Sequence, residues 1–389
     1  MVDKRKRPAK KAAGKAVPKT AKRAPNAAAG DTGRLQEVRA EIDGIDRRIQ
    51  ELITQRAHWA AKVRKAKGEL KAAVEYYRPE RESQILRRVL DRNQGPLSDE
   101  VLLRLFREIM SACLAQQEPL KVGFLGPEGT FSQQALHKHF GHSAQALPLA
   151  SIEEVFQEIE SGNADFGVVP VENSGQGTIQ STLDMFLTSR LKICGEVELR
   201  VHQHLLSRTG RLEDIERVYS HPQSLAQCKA WLRANLPHAE KVPVSSNAEA
   251  ARRARVADDC AAIAGETAGQ VYGLKVVAGP IEDRQDNTTR FLVIGREFFS
   301  PSGHDRTSLL VFVRDQPGAL YNVLSPFARH GVSMNRIESR PAHSGRWQYV
   351  FFIDVSGHVE EGNVAQAMSE LGEYASDVVV LGSYPVALL

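Results

Sequence analysis

The run VGFLGPEGTFS, residues 122–132, is where this 389-residue chain changes character. Before Pro119 apolar residues recur every three or four positions. From Lys121 short apolar runs bounded by Gly and Pro alternate with helical stretches. FGVVPV (166–171), RVYS (217–220), CAAIAG (260–265) and RFLVIG (290–295) repeat the pattern of VGFL. Short uninterrupted apolar runs between turn residues predict buried strands, and strands alternating with helices predict an α/β domain.

Working back from this segment, Leu35, Val38, Ile42, Ile45, Ile49 and Leu52 step by threes and fours, and the register continues to Trp59 and Val63. That spacing predicts one long helix with a bundle-forming stripe. Two more helical patterns, about 78–92 and 98–117, are separated by Asn93-Gln94-Gly95-Pro96, whose residues favour a turn. Working forward, Ser300-Pro301-Ser302-Gly303 marks a linker. The order after it is β-α-β-β-α-β in about 85 residues, the split βαβ sandwich. The expected division is a basic disordered tail (1–33), a helical unit (34–119), an α/β unit (120–299) and an α+β unit (304–389).

Length favours two or three folded units, and 42% hydrophobic with 25% charged residues is ordinary for soluble chains. The absence of a long uncharged apolar run argues against membrane spans and a secretory signal, so the expected location is the cytoplasm. Residues 1–30 hold ten Lys or Arg and one Asp; they carry +9 of a net +4, leaving −5 on the rest. The tail is Lys, Ala and Pro without apolar periodicity and reads as a solvated extension. Nonspecific polyanion contact stays open, but no aromatic interleaving suggests a specific nucleic-acid reader. Cys113, Cys194, Cys228 and Cys260 stand far apart without metal-ligand spacing, so neither zinc nor disulfides are expected.

In the helical unit the heptad from Leu52 lands on Arg56, a guanidinium where an apolar side chain is expected. Lys67, eleven residues on, is three turns away and about 20° around the helix. Two cations on one side of a helix either pair with internal carboxylates and solvent or hold an anionic ligand. In the α/β unit GPEGTFS (126–132), VVPVENSGQGTI (168–179), YSHPQSLAQC (219–228) and NTTRF (287–291) stand at strand ends and helix starts, where such domains bind ligands. Each alone reads equally as a turn, a cap or a strand pair. GFLGPEG is not GxGxxG, which argues against a dinucleotide fold.

RAEIDGIDRRI (39–49), the stretch from Arg56 to Lys67, YYRPERE (76–82) and FREIMSACLAQQ (106–117) resemble the all-helical chorismate mutases fused to prephenate dehydratases. The resemblance implies that Arg39, Arg56 and Arg81 hold two substrate carboxylates, Glu82 the ring hydroxyl, and Lys67 with Gln117 the ether oxygen. Arg78 and Cys113 depart from the Asp and Ser that some relatives carry.

The four motifs of the α/β unit, in order, resemble prephenate dehydratase over 120–297, implying a two-lobed, periplasmic-binding-protein-like fold. They imply Thr289 as the acid assisting departure of the ring hydroxyl. Glu172, Asn173, Ser220 and Gln227 are then expected around the substrate, with Arg290, Thr130 and Ser132 on its carboxylates. GALY (318–321) and ESRP (338–341) resemble an ACT domain that senses phenylalanine, implying Gly318, Ala319, Leu320, Glu338, Ser339, Arg340 and Pro341 as its ligands. The implied protein is a homodimer or higher homo-oligomer that acts on chorismate and prephenate without metal or organic cofactor, with phenylalanine as effector. Prephenate and arogenate stay open as the dehydratase substrate, and a binding protein with decayed catalytic domains stays open as the rival.

Overall fold

The computed structural model describes residues 28–67, 77–116, 119–175, 177–284, 286–314, 316–341 and 348–388, and of residues 28–33, 64–67 and 348 the backbone alone. The chain divides after Arg56 into two compact units. Helix α1 (Ala28–Lys67) makes up the described part of the first and runs on past its end. It begins six residues before the boundary expected at 34. The rest of the expected tail lies outside the described residues. The stripe along α1 is exposed over its length, from 49% at Leu35 through 51% at Ile42 to 61% at Leu52.

The second unit opens with α2 (Pro79–Arg92) and α3 (Asp99–Ala115). Pro79 starts α2, where its missing N–H costs nothing, and Ser98 Oγ caps α3 by accepting from Val101 N. Leu86, Leu103 and Cys113 are buried between them and their surroundings. Just before α2, Tyr77 Oη is 2.9 Å from His139 Nε2 of the next domain.

The α/β segment forms two lobes. Strands β1 (Lys121–Leu125), β2 (Gln145–Leu149), β3 (Phe166–Asn173), β4 (Gly177–Thr178) and β5 (Lys192–Arg200) belong to the first, with helices α4 (Phe131–Phe140), α5 (Ile152–Glu160) and α6 (Gln180–Phe186). The second lobe holds β6 (His204–Ser207), β7 (Arg217–Ser220), β8 (Glu240–Pro243), β9 (Cys260–Ala264) and β10 (Lys275–Ala278), with α7 (Pro222–Gln227), α8 (Lys229–Asn235), α9 (Asn247–Ala254) and α10 (Glu266–Tyr272). The chain then returns as β11 (Thr288–Gly295), between β3 and β5 and antiparallel to both. The sheet orders are β2-β1-β3-β11-β5, with β4 on β3, and β10-β6-β9-β7-β8. Two segments thus cross between lobes, 201–203 and 279–287. Backbone bonds from Val201 N to Asn287 O and from Ile281 N to Gln203 O hold them together.

The last module runs β12 (Asp305–Arg314), α11 (Ala319–Arg329), β13 (Met334–Pro341), β14 (Gln348–Ser356), α12 (Gly362–Tyr374) and β15 (Asp377–Pro385), the βαββαβ order expected. Its sheet order is β13-β14-β12-β15. Side chains alternate across the sheet: Leu309, Val311 and Ile353 pack with Val323, Phe327 and Leu371 of the helices, while Leu310, Phe352, Leu381 and Tyr384 share a core with Phe186, Ile193 and Leu292 of the first lobe. Gly382 makes this possible, because any side chain there would strike the Ile193 carbonyl. No described helix is long and apolar enough to cross a membrane.

Candidate functional site

The pairing of β3 with β11 sets Asn173 opposite Thr289 and Glu172 opposite Arg290. Neighbouring residues of a strand point to opposite faces, so this register separates two groups. On one face Asn173 Nδ2 donates to Thr289 Oγ1 at 2.7 Å and to Asn287 Oδ1 at 2.9 Å. Asn287 Nδ2 donates to Gln227 Oε1 at 3.3 Å, and Gln203 Nε2 reaches the same oxygen at 3.4 Å. Gln203 Nε2 also donates to Ser224 Oγ, which Asn247 Nδ2 joins at 2.9 Å. A web of neutral groups therefore runs from the first lobe across both connecting segments into the second.

Thr289 is 8% exposed. Its oxygen accepts from Asn173, and among the described residues no acceptor takes its own proton. A buried hydroxyl so held presents that proton to whatever occupies the adjoining space. Ser220 is fully buried and donates to Ile263 O at 2.8 Å or Asn247 Oδ1 at 3.0 Å; it stays within the second lobe. Thr130 caps α4, donating to Leu125 O and accepting from Gln133 N, and Ser132 is buried in that helix's first turn. Tyr272 Oη donates to Glu128 O across the lobe boundary, placing the start of α4 at the cleft. Among the described residues no hydrogen bond ties Thr130 or Ser132 to the amide web.

Two residues expected on the substrate have protein partners instead. Arg290 and Glu172 lie on the reverse face. Arg290 bonds Glu196 Oε2 of β5 at 2.9 Å, Asp354 Oδ2 at 2.6 Å and Tyr384 Oη at 3.0 Å; its side chain is 11% exposed. Burial by itself would weaken its hold on the proton; Tyr384, Asp354 and Glu196 outweigh that and raise its pKa above the ordinary value. Glu196 also takes Arg306, the Ala387 N–H lying 3.1 Å from its other oxygen. Glu172 pairs with Arg336 of β13 at 3.2 Å. Both residues therefore bind the terminal module.

ESRP divides in the same way. Glu338 accepts from Thr178 Oγ1 at 2.9 Å and Arg340 pairs with Asp184, so both are occupied by the first lobe. Ser339 and Pro341 point the other way and are exposed. Gly318 (φ +80°) caps α11 in the left-handed region, and Leu320 beyond it is 41% exposed.

Of the expected mutase residues, Arg39 is exposed and Arg56 half-buried on α1, while Arg81 is exposed and Glu82 half-buried on α2. Glu82 lies 3.9 Å from Arg107. Gln117 and the Lys67 side chain fall outside the described residues. Arg78 precedes α2 as its cap residue, and Cys113 is buried on α3.

Sequence reasoning missed Gln203, Asn247 and Glu196. Gln203 and Asn247 lie outside the quoted motifs and are polar in ordinary loops and caps. Glu196 interrupts an apolar strand, and a carboxylate there was the available signal.

Three family models match the chain in order: chorismate mutase type II over 38–118, prephenate dehydratase over 122–298 and the ACT domain over 307–373. A bifunctional chorismate mutase/prephenate dehydratase of Stutzerimonas stutzeri is 50% identical over 92% of this chain and 100% of its own length. The chain belongs to the bifunctional chorismate mutase/prephenate dehydratases. The Pseudomonas aeruginosa PAO1 member is likewise 50% identical over 92% of this chain and 100% of its own. Among solved structures, prephenate dehydratase from Arthrobacter aurescens in complex with L-Phe is 36% identical and covers 68% of this chain and 89% of that one, with a TM-score of 0.63. This mutase/dehydratase thus rearranges chorismate to prephenate and aromatises prephenate to phenylpyruvate, on a route to phenylalanine.

Proposed function

We propose that prephenate binds between the lobes with its ring hydroxyl against Thr289, and that this residue donates the proton with which the hydroxyl leaves as carbon dioxide is lost. The observation that carries it is the Asn173 bond, which occupies the Thr289 oxygen and leaves its proton unclaimed among the described residues. The Gln227 amide, with its oxygen taken twice, offers N–H donors to the same substrate. Aromatisation drives the step, so orientation and a proton donor are what the protein contributes. Replacing Thr289 with Ala should cost dehydratase turnover while chorismate rearrangement by the same chain persists; unchanged turnover would remove Thr289 from this role.

The rearrangement is unimolecular and moves no proton, so cations that hold the compact dianion and the developing charge on its ether oxygen suffice. Neither reaction calls for a metal or an organic cofactor. Arg39 and Lys67 are 28 residues apart on α1, about 42 Å along a helix, too far to touch one small substrate. A mutase site built from Arg56, Lys67, Arg81, Glu82 and Gln117 of one subunit takes Arg39 from a second, and the exposed α1 stripe supplies the seam of such a homodimer. Mixing an Arg39→Ala chain with a Lys67→Ala chain should restore partial activity in hybrid dimers, and none in proven hybrids would dismiss the composite site.

Phenylalanine, the end product, is proposed as the effector at Gly318–Leu320 and the outward residues Ser339 and Pro341. The ACT match and the L-Phe complex of the Arthrobacter relative support it. The modules divide at 34–119, 120–299 and 304–389, and the enzyme works in the cytoplasm.

A further inference from the structure

Which end of each side-chain amide faces the substrate follows from one backbone group. Gly175 N donates at 3.0 Å to the oxygen of Asn173, and a backbone N–H can only donate. The other end of Asn173 is therefore its NH2, whose two protons go to Thr289 Oγ1 and Asn287 Oδ1. That leaves Asn287 presenting its NH2 to Gln227, so the atom it meets is Gln227 Oε1. Gln203, on the other crossing segment, donates to the same oxygen. The free end of Gln227 is then Nε2, 4.0 Å from where a side chain on Gly175 would begin, a point itself 3.3 Å from Asn173 Oδ1. Five amide and hydroxyl orientations are thus coupled, and Asn287 is the only described link between the Thr289 pair and Gln227 in that hydrogen-bond chain.

We infer that Asn287 is a positioning residue of the dehydratase. As acceptor from Asn173 and donor to Gln227 it aims the Asn173 NH2 at Thr289 Oγ1 and the Gln227 NH2 into the substrate cleft. It acts only through these neighbours. Its two roles require one acceptor and one donor in the plane of an amide, which an ionised carboxylate cannot supply because it has no proton. A protonated carboxylic acid can, with C=O towards Asn173 and O–H towards Gln227.

That difference gives a test that simple loss of packing would not imitate. The inference rests on the dehydratase reading of this cleft, and the Asn287→Asp variant of the full chain separates the two. Its ionised form should disorient Gln227 and lower kcat for prephenate by about 100-fold at pH 8, the scale of a lost oriented donor. Charged groups on the elements that meet Asn287 are Asp286 with Arg284 on its own loop, Arg200 at the end of β5, Glu172 on β3 paired with Arg336 of β13, and Glu282 with His202 and Asp283 on the crossing segments. Partial burial and neighbouring Asp286 would hold the new carboxyl above the ordinary carboxylate range. Between pH 8 and pH 5 the variant's rate relative to the parent should therefore climb back, with spontaneous aromatisation subtracted at each pH. Asn287→Ala should show the loss without the recovery. Mutase turnover of the same chains, unchanged throughout, certifies the fold. A variant rate within about threefold of the parent at pH 8, or a deficit that does not change with pH, would overturn the inference. Thr289→Ala, measured alongside, distinguishes the readings: retained turnover there together with acid recovery of Asn287→Asp would sink the Thr289 role and leave the relay standing.

Discussion

Replacing Asp354 by Ala should undock the terminal module from the first lobe. Arg290 and Arg306 face Glu196 and Asp354, two cations against two anions, with side-chain exposures of 11%, 15%, 0% and 8%. Ser308 Oγ donates to the second Asp354 oxygen at 2.6 Å and contacts Tyr384 Oη at 2.7 Å. Taking away Asp354 leaves the set with one excess positive charge in a place water scarcely reaches. Removing one partner of such a buried pair costs about 3–5 kcal/mol. At 1.4 kcal/mol per decade this is a factor of about 100 to 4,000 in the docking equilibrium.

Because the chain has several domains, a single unfolding energy is not defined. The measurement is proteolysis of the 300–304 linker together with hydrogen exchange in β12 and β14. Asp184→Ala is the comparison, since its pair with Arg340 also crosses the interface but Asp184 is 43% exposed; such a pair is worth about 1 kcal/mol or less. The double change Arg290→Met with Asp354→Leu, which leaves Glu196 and Arg306 matched, should recover much of the loss. Equal effects of Asp354→Ala and Asp184→Ala on linker cleavage would refute the reasoning.

Arg56→Ala should abolish chorismate rearrangement, a loss of about 100-fold or more for a group acting on developing charge, with prephenate turnover kept; equal losses of both would argue against separate sites. Truncation after Phe299 should give a dehydratase that phenylalanine does not inhibit, and one less stable, because Ile193, Phe186 and Leu292 lose their cover; continued inhibition of the truncated chain would exclude the ACT module as sensor. His139 is half-buried and accepts from or donates to Tyr77 Oη at 2.9 Å, and desolvation, helped by Arg107, lowers its pKa to about 3. The unfolded segment takes up a proton near pH 6.5 that the folded one refuses, so the stability of the lobe that holds His139 is complete above that value and falls by up to about 1.4 kcal/mol per pH unit from 6.5 towards 3. His139→Gln should flatten this slope between pH 6.5 and 4.5 in urea melts; an unaltered slope would show that other groups set it.

The parts of the fold legible in the sequence were those with one uninterrupted signal. VGFL, FGVVPV, RVYS, CAAIA and RFLVIG became β1, β3, β7, β9 and β11 because strands covered on both faces need no polar residues. β5, KICGEVELR, passed unnoticed since its charges break the run, yet Glu196 in it is the carboxylate that gathers Arg290 and Arg306. The four motifs of the α/β unit were legible as strand ends and helix starts, while the facing of their individual residues was not. Their motifs place Thr289-Arg290 and Glu172-Asn173 on the substrate as pairs. In a strand only one of two neighbours can face the cleft, and the bond between Asn173 and Thr289 decides which.

Thr289 and Asn173 face the cleft, and their immediate neighbours Arg290 and Glu172 are held from behind by Asp354 with Tyr384 and by Arg336. Arg336, Glu338 and Arg340 occupy the lobe-facing side of β13, while Ser339 and Pro341 occupy its outer side. A ligand seated on the outer side and at Gly318 therefore presses on a strand whose other side grips β3, β4 and α6 through Arg336, Glu338 and Arg340. To inhibit, it need only bind better to an arrangement in which that grip has shifted; a 100-fold preference, about 2.7 kcal/mol, is enough. Arg336→Ala should then leave phenylalanine binding by calorimetry close to that of the parent and weaken inhibition of the dehydratase. If inhibition of Arg336→Ala matched the parent at saturating phenylalanine, the signal would have to travel by another path than β13.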